Sequence, residues 1–254
     1  MPTSPDLSIV IPAYNESARL PRTLRDTREW LDANGRRAEI IVVDDGSLDD
    51  TSGVVRRMIA EQPSLRLVRL PQNRGKGFAV RTGVLNAEGG RILFADADGA
   101  TPIGELLRLE QALDDGAAVA IGSRALASKS TKVKARLLRV AAGRLFHMVV
   151  GTLTVRGYRD TQCGFKLFTR EAALAIFPRM RMNGFSFDVE VLLLAERLDL
   201  AVSEVAVNWE HQPGSKVRVV RDGLIMTRDL FTIRARLLRG DYREVHVHPQ
   251  LARR

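Results

Sequence analysis

Apolar residues in the first half of the chain fall into short runs, separated by segments of helical periodicity. Leu7-Ser8-Ile9-Val10-Ile11-Pro12 is rich in β-branched residues and ends at a proline, the pattern of a strand. Ser17 to Leu31 follows as a helix, with Leu20, Leu24 and Leu31 near helical spacing. The alternation continues with a strand over 39–44, a helix from a cap at Asp49 or Asp50 to about Ala60, and a strand over 65–70. It goes on with a helix over 76–87, a strand over 90–95, a helix from Pro102 to about Leu113 and a strand over 117–121. Strands alternating with helices of this length predict an α/β fold, a mainly parallel sheet with helices on both faces. Ligands of such sheets bind beyond the carboxyl ends of the strands. The polar clusters fall there: Tyr14-Asn15-Glu16, Asp44-Asp45-Gly46-Ser47, Asp96-Ala97-Asp98 and Ser123-Arg124.

After about residue 125 the pattern changes. Residues 131–150 read as a basic helix, 161–169 as a short strand or loop, and 186–199 as a helix with Asp188 and Glu190 near its start. Val202 to Trp209 alternates as a strand, and 221–239 reads as a second basic amphipathic helix. No repeat and no Pro/Gly/Ser-rich linker interrupts the chain. One domain over residues 1–240 is expected, with a C-terminal helical elaboration and a loosely ordered tail over 241–254.

Composition narrows the partners. Hydrophobic residues at 45% exclude disorder as the main state. Lys and Arg number 39 against 30 Asp and Glu, and the net charge of +9 points to an anionic partner: nucleic acid, a phosphate ligand or a membrane surface. Aromatic residues at 6% and the lack of any recognisable module argue against nucleic acid. The single cysteine, Cys163, excludes an internal disulfide and a Cys-based zinc site. Residues 1–6 lack the basic and apolar regions of a signal peptide. The best apolar run, Leu145 to Leu153, is about half the roughly 18 residues of a spanning helix. A soluble or surface-bound protein is expected.

The sharpest chemical signal is Asp96-Ala97-Asp98, directly after the apolar strand. Two carboxylates converging at a strand-to-turn corner suit a hard divalent cation that shares its shell with substrate phosphates. An ordinary acidic turn, helped by Gly99, would use the same residues. A second pair, Asp44-Asp45, ends another apolar strand and offers an acceptor to a base N–H or ribose hydroxyls; Ser47 or Asp49 alone would serve as a helix cap there. Pro12-Ala13-Tyr14-Asn15-Glu16 offers an aromatic face and an acceptor. Asn73-Arg74-Gly75-Lys76-Gly77 is a flexible basic loop able to meet phosphate with backbone N–H groups and a cation, though it is not a P-loop. Asp188 reads equally as a helix cap, and Cys163 as a small buried hydrophobe.

Taken in their order along the chain, from Pro12–Glu16 through Asp44–Ser47 and Asn73–Gly77 to Asp96–Gly99, these four pieces resemble the GT-A glycosyltransferases of family 2. Gly122-Ser123-Arg124, the run Arg159 to Phe168, Phe187-Asp188-Val189-Glu190, Val207-Asn208-Trp209 and Gly214-Ser215-Lys216 are similar to the dolichyl-phosphate β-glucosyltransferase branch, a sister of the mannose synthases. The resemblance covers about residues 7–240, and implies a Rossmann-like sheet with a nucleotide-sugar half (about 1–125) and an acceptor half (about 126–240). It implies inverting, metal-dependent transfer of a hexose, glucose from UDP-glucose foremost, to a polyprenyl phosphate. Pro12, Tyr14, Glu16 and Asp45 match nucleoside-contacting positions. Asp96, Ala97 and Asp98 match the metal and diphosphate site, with Mg²⁺ or Mn²⁺ as cofactor. Arg124 and Lys216 match positions near phosphates, and Lys76 of the basic loop is a further candidate to offset the diphosphate charge. Asp160 is the implied acceptor-side carboxylate, for positioning or base catalysis, with Asp188 as the alternative. Mannose synthases often carry a Gln where Ala100 stands, which disfavours GDP-mannose. A soluble acceptor, or nucleotidyl transfer, are the competing activities.

The implied lipid acceptor favours peripheral attachment to the cytosolic face of an anionic membrane. Lys132, Arg136 and Arg139 share one stripe of the 131–150 segment. In 221–239, Leu230, Ile233, Leu237 and Leu238 share a face opposite Arg228 and Arg239. Helices of this kind lie in the headgroup layer.

Overall fold

A computed structural model of the chain describes residues 4–126, 131–134, 157–214 and 219–242, and the statements that follow concern those residues. The first strand, β1 (Leu7–Ala13), is buried at every position, as its run of apolar residues requires. It pairs in parallel with β2 (Ala38–Asp44) on one side and β4 (Arg91–Ala95) on the other, and β3 (Leu65–Arg69) extends the sheet beyond β2. The full order is β3-β2-β1-β4-β7-β5-β8, with β5 at Val119–Ser123, β7 at Phe165–Thr169 and β8 at Val202–Ala206. β7 runs antiparallel to both β4 and β5, and β8 runs parallel to β5.

The two-residue period of the strands divides the apolar side chains between two cores. Val10, Ile41, Val43 and Phe94 face one core, built with α3 (Lys76–Leu85), α5 (Arg170–Ile176), α6 (Phe187–Arg197) and α7 (Val219–Arg239). Ile9, Ile11, Ile40 and Val42 face the other, covered by α1 (Leu20–Ala33), α2 (Thr51–Ile59) and α4 (Leu106–Asp114). Helices on both faces and a mainly parallel sheet are the architecture that the alternating pattern predicts.

Several elements depart from the sequence reading. The first helix begins at Leu20, because Ser17 is drawn into a turn in which its N–H and hydroxyl both donate to Asp49. Residues 161–169 resolve into a turn and the inserted strand β7. Val202 to Trp209 does not continue as one strand. Asn208 leaves the ladder, donating from Nδ2 to Glu105 at 2.6 Å while its Oδ1 accepts from the Lys132 N–H at 2.7 Å. Trp209 and Glu210 then form β9, paired with β6 (Val133–Lys134). A helix therefore does not begin at 131; residues 135–150 lie outside the described set, as do Arg136 and Arg139.

The face expected on the last helix is corrected too. Leu230 and Ile233 are fully buried in the core, whereas Leu238 is exposed. The tail expected after Asp241 does not start there, since the Tyr242 hydroxyl donates to buried Glu190 at 2.8 Å. Among the described residues, no helix is long and apolar enough to cross a membrane.

Candidate active site

A cavity of about 680 Å³ opens beyond the carboxyl ends of β1, β2 and β4, within the usual size of a small-molecule site. Pro12, Ala13, Tyr14 and Glu16 from the end of β1 form one wall. This turn is locked to the neighbouring one. Asn15, at φ +54°, donates its N–H to Ser47 Oγ at 2.9 Å and accepts from the Leu48 N–H at 2.8 Å. The Glu16 N–H donates to Thr51 Oγ1 at 2.8 Å. The Glu16 carboxylate takes two bonds from Arg19, which also donates to the Pro213 carbonyl at 3.1 Å.

The two aspartates ending β2 have separate jobs. Asp44 turns inward, accepting from the Ser47 N–H at 2.8 Å and from the Ser52 hydroxyl. Asp45 lines the cavity and accepts the N–H groups of Arg74 at 2.7 Å and Gly75 at 2.8 Å, so it holds the basic loop in place. Burial pushes its carboxyl above the usual range, although those two bonds oppose the shift. The loop itself depends on glycine. A Cβ on Gly75, at φ +98°, would stand 2.4 Å from the Asn183 carbonyl oxygen. One on Gly77 would stand 2.6 Å from Phe187 Cβ. That close approach seats Lys76, the first residue of α3, inside the cavity.

Lys76 Nζ meets Asp96 Oδ1 at 2.7 Å, and Arg19 Nη1 lies 3.7 Å from Asp98 Oδ2. Burial disfavours the Lys76 charge, but Asp96, Asp188 and Asp98 outweigh it and hold the ammonium above its usual range. Burial, reinforced by repulsion from Asp96, raises the Asp98 carboxyl. Asp96 and Asp98 thus present hard oxygens to the cavity in a setting where a cation relieves their repulsion, which fits Mg²⁺ or Mn²⁺. Among the described residues no cluster of three or more His, Cys, Asp or Glu would hold a metal. Oxygens of a bound phosphate, together with water, would add to the two carboxylates in the shell of such an ion.

The insertion of β7 brings residues 160–164 beneath this corner. The Asp96 N–H donates to the Gly164 carbonyl at 2.9 Å, and a Cβ on Gly164 would overlap the Asp96 carboxylate. Asp160 forms a bidentate pair with Arg124, Nε to Oδ2 at 2.6 Å and Nη2 to Oδ1 at 2.8 Å. It also accepts the Arg124 N–H at 3.0 Å. Burial opposes the Asp160 charge, yet Arg124 keeps the carboxyl below its usual range. Asp188, fully enclosed, pairs with buried Lys166, which also donates to the Cys163 carbonyl at 2.6 Å. Asp188 is therefore an ion-pair partner and Ser186 holds the cap position of α6. Burial pushes the Cys163 thiol up to about 12, which leaves it unreactive near neutrality.

A model of the family described as Glycosyl transferase family 2 matches residues 8–177. The chain belongs to glycosyl transferase family 2. It is 42% identical over 246 residues to the dolichyl-phosphate beta-glucosyltransferase of Dictyostelium discoideum, covering 92% of this chain and 75% of that protein. The human protein of the same name is 41% identical over 250 residues, covering 93% and 77%. Among solved structures, the chain is similar to Mycobacterium tuberculosis glucosyl-3-phosphoglycerate synthase in complex with Mn²⁺, UDP-glucose and phosphoglyceric acid. The TM-score is 0.65 at 20% identity, covering 96% of this chain and 82% of that one. That likeness is one of fold, and the fold is GT-A. The protein is a glycosyltransferase.

Of the residues read from the sequence, Pro12, Tyr14, Glu16, Asp45, Lys76, Asp96, Ala97 and Asp98 all line the cavity of this family 2 protein. Arg124, Asp160 and Asp188 stand behind it, and Lys216 lies outside the described residues. Sequence reasoning missed Arg19, Phe185, Arg221 and Asp222, which also line it. Arg19 was within reach as an i,i+3 partner of Glu16. Arg221 and Asp222, at the start of α7, carry no local signal, because only the docking of that helix brings them to the cavity.

Proposed function

We propose that the protein transfers glucose from UDP-glucose to a polyprenyl phosphate of the dolichyl type, with inversion at the anomeric carbon. The carrying observation is the convergence of the Tyr14–Glu16 turn, Asp45, Lys76 and the Asp96–Asp98 corner on one cavity. The names of the relatives and the Mn²⁺ and UDP-glucose in the similar solved structure support it. In this reading Pro12, Tyr14, Glu16 and Asp45 hold the nucleoside. A divalent cation held by Asp96 and Asp98 supplies charge neutralisation for the departing diphosphate. Lys76 adds a second positive charge, and Lys216 meets a phosphate. The acceptor phosphate is largely ionised near neutrality, with a second pKa of about 6, so it attacks with little help from a base. Asp160, committed to Arg124, acts by aiming that guanidinium at the acceptor phosphate. Asp188 steadies Lys76.

Membrane contact falls to the outer face of α7, on the cytosolic side. Leu224, Ile225, Phe231 and Leu238 are exposed there, beside Arg228. The inner face of the same helix is docked in the core, and its first turn reaches the cavity. A lipid phosphate arriving along α7 would thus be delivered to the donor. The test is incubation of the pure protein with radiolabelled UDP- and GDP-sugars and short polyprenyl phosphates. Chloroform-extractable counts from UDP-glucose alone are expected. Counts from GDP-mannose, or a labelled product that stays in water, would replace the donor or the acceptor in this reading.

A further inference from the structure

The acidic corner of the cavity is balanced by the protein's own cations. Lys76 is in contact with Asp96, and Arg19 lies 3.7 Å from Asp98. The Lys76 ammonium is also boxed by the rings of Phe94, Phe185 and Phe187, at 5.2, 6.0 and 6.0 Å from their centroids. Asp188, the other carboxylate acting on it, is already neutralised by contact with Lys166. Asp96 is therefore the strongest anchor that Lys76 has within the cavity. A divalent cation approaching the corner alone competes with the ammonium for Asp96 Oδ1, and among the described residues it finds two carboxylates there. Position 100 is an alanine and supplies none. A nucleoside diphosphate changes both terms at once. Its oxygens complete the metal's shell, and its charge gives the freed ammonium a new partner.

We propose that Lys76 occupies the cation position of the acidic corner in the free protein, so that the divalent metal and the nucleoside diphosphate enter as a pair. The inference rests on the donor-site reading above. Since coupling between two ligands is reciprocal, Mn²⁺ should tighten UDP binding by the same factor as UDP tightens Mn²⁺. The factor should lie on the order of tenfold to a hundredfold, within the usual range of such couplings.

The experiment titrates Mn²⁺ into the full chain, with and without saturating UDP, and follows the free-ion signal by electron paramagnetic resonance. Wild-type protein should bind Mn²⁺ weakly alone and on the order of tenfold or more tightly with UDP. Lys76→Met should raise the affinity for Mn²⁺ alone by about tenfold and shrink the gain from UDP, a loss of coupling in the same cycle. Lys76→Arg, which restores the charge, should return the wild-type pattern. Thermal melting checks each fold, and Lys76→Gln is read in place of Lys76→Met if the latter is unfolded. Mn²⁺ binding to the UDP-free neutral variant no tighter than to wild type, with UDP binding intact, would overturn the role of Lys76 alone. Failure of wild-type protein to bind UDP at saturating Mn²⁺ would remove the donor reading and the pairing with it.

Discussion

Asp160→Asn tests whether this carboxylate works through Arg124 or on the substrate directly. The substitution keeps size and removes charge. Two donors converge on each Asp160 oxygen: Arg124 Nε and N on Oδ2, Arg124 Nη2 and the Gln162 N–H on Oδ1. Whichever oxygen becomes an amide nitrogen, two of the four bonds are lost and donors are left facing a donor. Breaking a fully buried pair costs about 3–5 kcal/mol. The Asp160 side chain is 8% exposed but Arg124 is 33% exposed, so water recovers part of the loss. A destabilisation of roughly 2–3 kcal/mol follows, or about 5–10 °C in melting temperature for a chain of this size. Urea unfolding should show a lower midpoint at unchanged slope. Arg124→Met alone should cost at least as much, because it leaves the more deeply buried Asp160 carboxylate without its counter-charge, and the double variant should be less destabilised than the two singles added. The pH dependence has a definite sign. Arg124 lowers the Asp160 carboxyl in the folded state, against burial. The pair's contribution is therefore complete above the unfolded value of about 3.9 and disappears as pH falls through the lower folded value. That acid limb should be missing from Asp160→Asn. Turnover should fall with UDP affinity nearly unchanged. Wild-type melting with collapsed turnover would refute the argument and return Asp160 to the reacting groups.

Asp98→Ala should lower transfer by orders of magnitude while leaving the melt intact, and EDTA should do the same to wild type until Mg²⁺ or Mn²⁺ is restored; activity retained under both would exclude the metal. Gly77→Ala places a Cβ 2.7 Å from the Met182 carbonyl oxygen and 2.6 Å from Phe187 Cβ. It should destabilise by about 1–3 kcal/mol, as overpacking does, and weaken UDP binding by moving Lys76, both readable in one denaturation and calorimetry series. Leu224→Gln with Phe231→Glu changes two exposed residues and should move stability by no more than about 0.5 kcal/mol. It should reduce co-sedimentation with anionic vesicles and transfer to long-chain acceptors, while transfer to a short water-soluble prenyl phosphate is spared. The residual binding should weaken further between 0.1 M and 1 M salt, as the Debye length falls from about 10 Å to about 3 Å.

The donor wall was legible because its signals are local. Strand ends such as Pro12-Ala13-Tyr14 and Asp96-Ala97-Asp98 declare themselves by a switch from apolar to polar residues, and parallel topology sends all such ends to one edge. The apolar period of the last helix was legible as well, but not which apolar residues it buries. Leu230 and Ile233 face the core, and Leu224 and Phe231 face outward, because docking against α6, through the Ser186–Asp229 hydrogen bond, sets the rotation of the helix. The run over 165–169 did not announce its place either. Five residues of mixed polarity read as strand or loop, and only pairing with both β4 and β5 makes them an interior strand. Buried Lys166 is what obscures the pattern, and its burial is explained by a partner 22 positions away, Asp188.

That partnership shows why the antiparallel insertion matters to the chemistry. β7 carries Lys166 to Asp188 beneath the acidic corner, and so charges alternate inward from the cavity: Asp96, Lys76, Asp188, Lys166. Without Lys166, Asp188 would be a bare buried carboxylate. Burial already pushes it above its usual range, and it would either neutralise or seize Lys76. With Lys166 in contact, Asp188 supports the charge on Lys76 without holding the ammonium against itself, and Asp96 takes the direct contact instead. The ammonium is thereby left at the cavity wall, charged and bound to a residue that a divalent cation can claim. The β4–β7 register sets Lys166 opposite Phe94, at the height from which its ammonium meets Asp188. The inserted strand thus serves the site as well as the sheet, since the residue that neutralises Asp188 is one of its own.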